Sequence, residues 1–310
     1  MKKIVKDPYP WIFLFFLFYP LYPYIGRFTS LGTELLIWFI FTLSFNLCLG
    51  YTGLPSFGHG AFYGVGTYAA ALTFLHVIKQ NGSVVVPILI GGLTGALFAG
   101  FLGYAIRKKK GVYFALITIA FTQVLYFISW RWDEVTGGEA GLKGIIRDNF
   151  LGIDIKNPIA YYYFVFVIFI LCALVIRRIA HSSFGKSLQA IKQNPIRAEY
   201  MGYNIGMYKF AVYAISGLFA GLAGALYCFL TQSAFASVLD WTKSGDVVIA
   251  TLLGGGSVSF YGPMVGSVIY VMAQELLSGF WSHWVLLYGL SFVIIILVFP
   301  NGLLGIFKRK

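Results

Sequence analysis

The stretch that most invites a chemical reading is "HSSFGKS", His181 to Ser187, because Gly-Lys-Ser is a residue set that cradles phosphate. A phosphate loop also needs a glycine five residues before Gly185. That position is Ala180, and no buried strand precedes it, so the stretch reads as a solvated basic loop and no nucleotide site is expected on this chain. Carboxylates are the next candidates, since ion-coupled carriers place them inside the membrane. Glu34 lies near the outer end of an apolar run, Asp246 near the start of another and Glu275 near the end of its own. None is clearly at mid-depth, which argues against a proton- or sodium-coupled secondary carrier. His59 is the one imidazole in an interrupted apolar stretch. With no second histidine, cysteine or acid at ligand spacing it makes no metal site; it either ties down freed backbone or faces a pathway. No His, Asp and Ser constellation falls inside the apolar runs, so no catalytic residues are assigned. Cys48, Cys172 and Cys228 all sit within such runs and read as small core residues.

The elements that would hold these groups follow from composition. Of 310 residues 59% are hydrophobic and only 11% charged, against roughly a quarter charged in a soluble domain. Mean hydropathy is +0.79. Several apolar runs approach the roughly 20 residues that cross a bilayer as a helix. The fold class is therefore an all-α polytopic membrane protein, forming a single domain over residues 1–310 with about eight to ten spanning or half-spanning helices. The alternating pattern of a membrane barrel is absent. Predicted spans are 9–24, 32–50, 60–78, 84–106, 111–130, 161–178, 208–230 and 284–299. Residues 246–277 form two apolar pieces broken between Gly254 and Pro263.

The net charge of +12 does not indicate nucleic acid, because most of the 23 basic residues fall in four clusters between spans. These are Lys2, Lys3 and Lys6; Arg107 to Lys110; Arg177, Arg178, Lys186, Lys192, Arg197 and Lys209; and Lys308 to Lys310. Excess Lys and Arg marks cytoplasmic loops. Both termini and the segment 177–209 are thus predicted inside, and the polar segment 131–157 outside. Within 177–209, Leu188, Ile191 and Ile196 alternate with basic and amide residues, and "AEYMG" reads as a helix with a glycine cap. Such a surface helix suits a protein partner or lipid headgroups equally well. Outside, "TGGEAGL" puts Gly137 and Gly138 after Thr136, a permissive setting for a sharp turn.

Two glycine-rich interruptions stand apart from this pattern. One is "LGYTGLPSFGHG" after the second span, the other "LLGGGSVSFYGP" inside 246–277. Unpaired backbone at membrane depth is tolerated only in contact with protein or with a wet cavity. Pairs of small residues four apart, such as Gly91/Gly95, Ala96/Gly100, Gly217/Gly221, Ala220/Gly224 and Gly262/Gly266, account for most other glycines as helix contacts. "SFGHGAFYGVG" and "SFYGPMVG" echo each other loosely, as the halves of an inverted repeat would.

Taken in order, "NLCLGYTGLPSFGHGAFYGVGTYAAAL", "GVYFALITIAFTQ", "TGGEAGL", "FGKSLQAIKQNPIRAEYMGYNIGMYKF", "LLGGGSVSFYGPMVGSVI" and "FPNGLLGI" resemble the LivM-like permeases of branched-chain amino acid ABC importers. The resemblance runs from about Asn46 to the end. It implies an ABC importer permease fold and ATP-driven alternating access in a bacterial or archaeal cytoplasmic (inner) membrane. It implies a second homologous permease, two cytoplasmic ATPase subunits and an extracytoplasmic substrate-binding protein as partners, beside the lipid bilayer. ATP and Mg would then act on the ATPase chains, and this chain would carry no cofactor. Ala198, Glu199 and Gly202 correspond to the ATPase coupling loop. Tyr51, Thr52, Gly53, Ser56, Gly58 and His59, with Gly254, Gly255 and Gly256, become the residues of a translocation pathway. Pro55 and the triple glycine depart slightly from the family pattern. Permeases for urea and short amides are similar in sequence and form the rival within the class; a stand-alone secondary carrier is the rival outside it.

Overall fold

The computed structural model describes residues 16–17, 19–21, 29–78, 83–109, 111–147, 154–256 and 259–279, with a few more between 286 and 302. Most of the first and last predicted spans and both basic termini lie outside the described residues. The described fold is helical. Helix α1 (Thr29–Asn46) is apolar all round and buried along nearly its whole length, as befits the central helix of a bundle. It continues as a π-helical turn, Leu47–Tyr51. Helix α2 is His59–Leu72 and also ends in a π-turn, Thr73–Val77. Helices α3 (Val85–Ile106), α4 (Gly111–Arg131), α5 (Pro158–His181) and α8 (Ile205–Thr231) are long. Together with Thr29–Tyr51 these make five described helices long and apolar enough to cross a membrane. The protein is a multi-pass membrane protein. Apolar side chains such as Leu97, Phe101, Tyr113, Phe127 and Leu171 point outward from α3, α4 and α5, where lipid replaces water as the solvent.

Helices α2, α3 and α8 pack through glycine. A side chain at Gly66 would enter the backbone of Gly221, and one at Gly95 would enter the carbonyl of Gly217. Of the predicted four-residue pairs, Gly91/Gly95 and Gly217/Gly221 therefore form one close helix contact. Ala96 and Gly100 instead line an outward groove with Phe101 and Phe210. That groove runs between α3 and α8, and a side chain at Gly100 would meet Phe210 and Ala214 of α8.

At one end of the bundle lie Arg107, Lys192 and Arg197; it is called the basic end below. Here "HSSFGKS", expected as a solvated loop, opens α6 (Ser183–Gln193), and the helix expected at "AEYMG" is the end of α7 (Pro195–Tyr200), followed by Gly202 at φ +86°. "GKS" lies inside α6, with Ser182 accepting the Gly185 N–H at the helix start. Leu188 and Ile191 are buried, as the amphipathic pattern predicts, but Ile196 is exposed. The reason is local. Asn194 is extended and caps a new helix by accepting the Arg197 N–H at 2.9 Å, and Pro195 opens that helix, so the face turns.

At the far end, α4 leads into a single helical turn, Asp133–Thr136. Gly137 and Gly138 then take φ of +72° and +55°, the predicted sharp turn. Thr136 secures it by donating to the Ser129 carbonyl at 2.6 Å. The turn delivers β1 (Leu142–Lys143) to pair antiparallel with β2 (Ser233–Ala234). From β2 the chain enters the bundle as a 3-10 turn, Ala236–Leu239, and starts α9 (Trp241–Gly254). After the triple glycine comes α10 (Gly262–Ser278). Helices α9 and α10, of 14 and 17 residues, span about 21 and 25 Å, short of the ~30 Å apolar layer. The predicted break between Gly254 and Pro263 is thus present.

Candidate functional site

The first interruption is resolved by side chains from α8. Ser56 and His59 are wholly buried. Tyr213 on α8 meets Ser56 Oγ at 2.6 Å, His59 Nδ1 lies 3.1 Å from the same oxygen, and His59 Nε2 lies 2.5 Å from Ser216 Oγ. Ser216 in turn donates to the Ser44 carbonyl at 2.7 Å. That last bond orders the protons. With the Ser216 proton committed to Ser44, its oxygen accepts Nε2–H, and Nδ1 accepts from Ser56. Ser56 then accepts both the Tyr213 hydroxyl and the Gly58 N–H at 3.1 Å. A neutral ring satisfies every member of the series. Ser216 lies eleven residues into α8, about 16 Å along its axis, so this knot sits near mid-depth. It ties α1, α2 and α8 together where helix hydrogen bonds are missing.

Helix α4 braces the same break from outside. Phe57 N–H donates to Thr118 Oγ1 at 3.0 Å, and Thr122 Oγ1 donates to the Phe57 carbonyl at 3.0 Å. One residue further along α4, Gln123 donates to Asp240 Oδ1 at 3.4 Å. Asp240 is the N-cap of α9. Ser244, at the end of the first turn of α9, accepts the Gly60 N–H at 2.8 Å. The N-terminal ends of α2 and α9 therefore meet inside the bundle. Non-helical backbone at both points is enclosed by protein.

The second interruption closes against the end of the first. Gly255 has φ +77°, and its N–H and that of Gly256 bond back to the Leu252 and Thr251 carbonyls. A side chain at Gly254 would occupy the Gly262 carbonyl, so the α9–α10 turn admits none. A cavity of about 440 Å³ at the basic end is lined by Gly50, Tyr51, Gly256 and Ser259 together with Gln189 and Lys192 of α6. Lys192 donates to the Gly50 carbonyl at 2.7 Å, and its stem lies over Gly53, which has φ +72°. Partial burial pushes the Lys192 ammonium below the usual lysine range.

The predicted site residues thus divide into two groups. Tyr51, Gly53 and Gly256 gather at the basic end beside α6, with Gly254 and Gly255 forming the turn behind them. Ser56, Gly58 and His59 lie deeper, enclosed by the knot with Tyr213. Thr52 is buried and bonds to the Leu47 carbonyl at 3.0 Å. Of the coupling residues, Ala198 is buried. Its carbonyl receives the Met201 and Tyr203 N–H groups at the helix end. Glu199 and Gly202 (φ +86°) line an open groove of about 680 Å³ with Arg107, Lys108 and Asn204. Sequence reasoning missed the apolar surface beside it, where Ile196, Tyr200 and Met201 are exposed.

It also missed a charged cluster. The Lys243 ammonium on α9 sits over the ring of Trp38 at 4.5 Å, with Tyr227 at 5.7 Å and Tyr63 at 5.9 Å. Glu34 and Asp246 both act on it electrostatically, and Asp246 is hydrogen-bonded to Tyr270. From the sequence Asp246 reads as lying near the start of its helix and not clearly at mid-depth; in the structure it is the sixth residue of α9. Helix α9 begins inside the bundle, beside Gly60, so its first turns are deep. Trp38 lies nine residues, roughly 13 Å, along α1 from Thr29. The available signal was "KSGD", Lys243 to Asp246: two opposite charges in an otherwise apolar region.

The family described as "Branched-chain amino acid transport system / permease component" matches residues 28–299. The chain is 26% identical over 299 residues to the "High-affinity branched-chain amino acid transport system permease protein LivM" of Salmonella typhimurium, covering 89% of this chain and 69% of that protein. It is 25% identical over 327 residues to the "Probable branched-chain amino acid transport permease protein LivM" of Methanocaldococcus jannaschii, covering 89% and 93%. It is 26% identical over 290 residues to the "Probable branched-chain amino acid transport permease protein LivH" of the same organism, covering 86% and 89%. No solved structure gives a significant match.

Proposed function

The chain belongs to the branched-chain amino acid transport permease family, and from that premise we propose that it is the membrane subunit of a binding-protein-dependent ABC importer, moving branched-chain or related hydrophobic amino acids by ATP-driven alternating access. The observation that carries this reading is the meeting of two interrupted segments inside the bundle, with Gly60 of α2 bonded to Ser244 of α9. Broken helices whose ends converge within the membrane are the pattern of transporter pathways. Tyr51, Gly53 and Gly256 form the inner end of that pathway, and the knot at Ser56 and His59 holds its wall.

The basic end faces the cytoplasm, by the excess of Lys and Arg there. Its groove at Glu199 and Gly202, flanked by exposed Tyr200 and Met201, receives an ATPase subunit. ATP and Mg act on the two ATPase chains. The far-end turn at Thr136 to Gly138 faces the binding protein, and a second permease completes the pathway. Methanocaldococcus jannaschii has both a permease named LivM and one named LivH that are similar to this chain, which supports a pair of homologous permeases.

Reconstitution tests the proposal. The chain, a second permease, the ATPases and the binding protein in proteoliposomes take up leucine only with ATP. Leucine uptake by this chain alone, independent of ATP, overturns it. ATP-dependent urea uptake without leucine uptake selects the short-amide importer instead.

A further inference from the structure

We propose that Lys243 and Glu34, within the ring of Trp38, Tyr63 and Tyr227, form a station on the pathway that accepts the zwitterionic head of an α-amino acid, Lys243 taking the carboxylate and Glu34 the ammonium. The inference rests on the amino acid transport reading above and assigns it specific residues.

Four helices build the station: Glu34 and Trp38 from α1, Tyr63 from α2, Tyr227 from α8, and Lys243 with Asp246 from α9. Among the described residues the Lys243 ammonium makes no hydrogen bond and no ion pair; it sits against the three rings. A cation inside a membrane bundle normally pairs with a carboxylate or a carbonyl. Ring faces recover only a small part of what an ammonium loses on leaving water. Asp246, three residues along α9, is hydrogen-bonded to Tyr270. Glu34 is half-buried and acts on Lys243, Tyr63 and Tyr227 without touching them. The cluster therefore holds a cation with no ion-paired anion, and a carboxylate that acts on it without forming an ion pair.

A zwitterion complements that pair of unpaired opposite charges. Its carboxylate supplies the direct partner Lys243 lacks, and its ammonium comes between that point and Glu34. Lys243 lies in the first turn of α9, where the N-terminal end of the helix adds to the positive potential. The rings offer an apolar wall to a hydrophobic side chain. A neutral solute such as urea gains little from two fixed opposite charges, so the station selects for charge-paired substrates.

The test uses the assembled complex in proteoliposomes, with ATP-dependent leucine uptake and binding-protein-stimulated ATP hydrolysis read side by side. Lys243→Met and Glu34→Gln are expected to lower leucine uptake at least tenfold while ATP hydrolysis stays stimulated, and Lys243→Arg to retain more uptake than Lys243→Met. Wild-type uptake rates in both Lys243→Met and Glu34→Gln overturn the inference and leave the transport reading intact. If Lys243→Met fails to assemble, Lys243→Arg against Glu34→Gln decides: undiminished uptake in Glu34→Gln overturns the proposal. Wild-type complex that takes up urea and not leucine overturns both readings.

Discussion

Gly60 donates its backbone N–H to the Ser244 hydroxyl at 2.8 Å, joining the first turns of two short membrane helices that lie 184 residues apart in sequence. The first N–H groups of a helix have no partner within it. In water they are solvated; inside this bundle another helix must supply the oxygen. Ser244→Ala is expected to cost about 1–3 kcal/mol, because it leaves a buried donor unpaired, and Ser244→Thr to cost less. Thermal unfolding of the purified chain in detergent measures both, and equal midpoints for Ser244→Ala and the wild type would contradict the role given to this bond.

The knot around His59 predicts a graded series. Tyr213→Phe removes one member and leaves Ser56 able to donate to His59, for a loss of about 1 kcal/mol. His59→Leu removes two hydrogen bonds at once, those to Ser56 and Ser216, and is expected to lose more, about 2–3 kcal/mol, although Ser216 keeps the Ser44 carbonyl and Ser56 keeps Tyr213 and Gly58. The order of the two unfolding midpoints is the check. A His59→Leu variant as stable as Tyr213→Phe would mean that the imidazole is not the hub.

Glycine at the α2–α8 contact is a question of space. A methyl group at Gly66 would overlap the Gly221 backbone, which cannot step aside as a side chain can. Gly66→Val is therefore expected to abolish accumulation of folded chain in membranes, whereas Gly245→Ala, with nothing within 4 Å of the added carbon, leaves it unchanged. Folded yield by fluorescence size-exclusion chromatography distinguishes them.

The basic end makes a prediction about assembly. Tyr200 is 87% exposed, and Glu199 and Gly202 border the adjoining groove. Glu199→Arg, Gly202→Trp and Tyr200→Asp are expected to reduce recovery of the ATPase subunits in a pull-down at least tenfold, with the unfolding midpoint unchanged for Glu199→Arg and Tyr200→Asp and slightly lowered for Gly202→Trp, which puts a side chain at φ +86°. Lys192→Met should do the opposite. It breaks the link from α6 to Gly50, so ATPase binding persists while coupled uptake falls. Normal recovery in all three surface variants would remove the docking role from α7.

Much of this architecture is legible in the sequence because lipid imposes a simple rule. Apolar runs must close their own hydrogen bonds, so span positions, the break between Gly254 and Pro263, and the Thr136–Gly138 turn all follow from residue type. Position within the bundle does not. Ile196 and Ile191 look alike in an amphipathic count, yet Pro195 intervenes and one is exposed while the other is buried. Asp246 reads as near a helix start because hydropathy cannot show that α9 already begins at Trp241, after the buried turn Ala236–Leu239. Nor does any local pattern join Lys243 to Trp38, 205 positions earlier by their numbers. Their encounter depends on how α1 and α9 cross, which is set by contacts distant in sequence.

Helix α4 touches the rest of the bundle lightly. Val112, Tyr113, Leu116, Val124 and Phe127 all face outward. Yet within six residues it holds Phe57 through Thr118 and Thr122, and Asp240 through Gln123. Because one rigid rod grips both irregular segments, displacing it moves the approach to α2 and the approach to α9 in the same stroke. The arrangement works as a synchroniser: the two ends cannot drift out of step without breaking bonds that have no water to replace them.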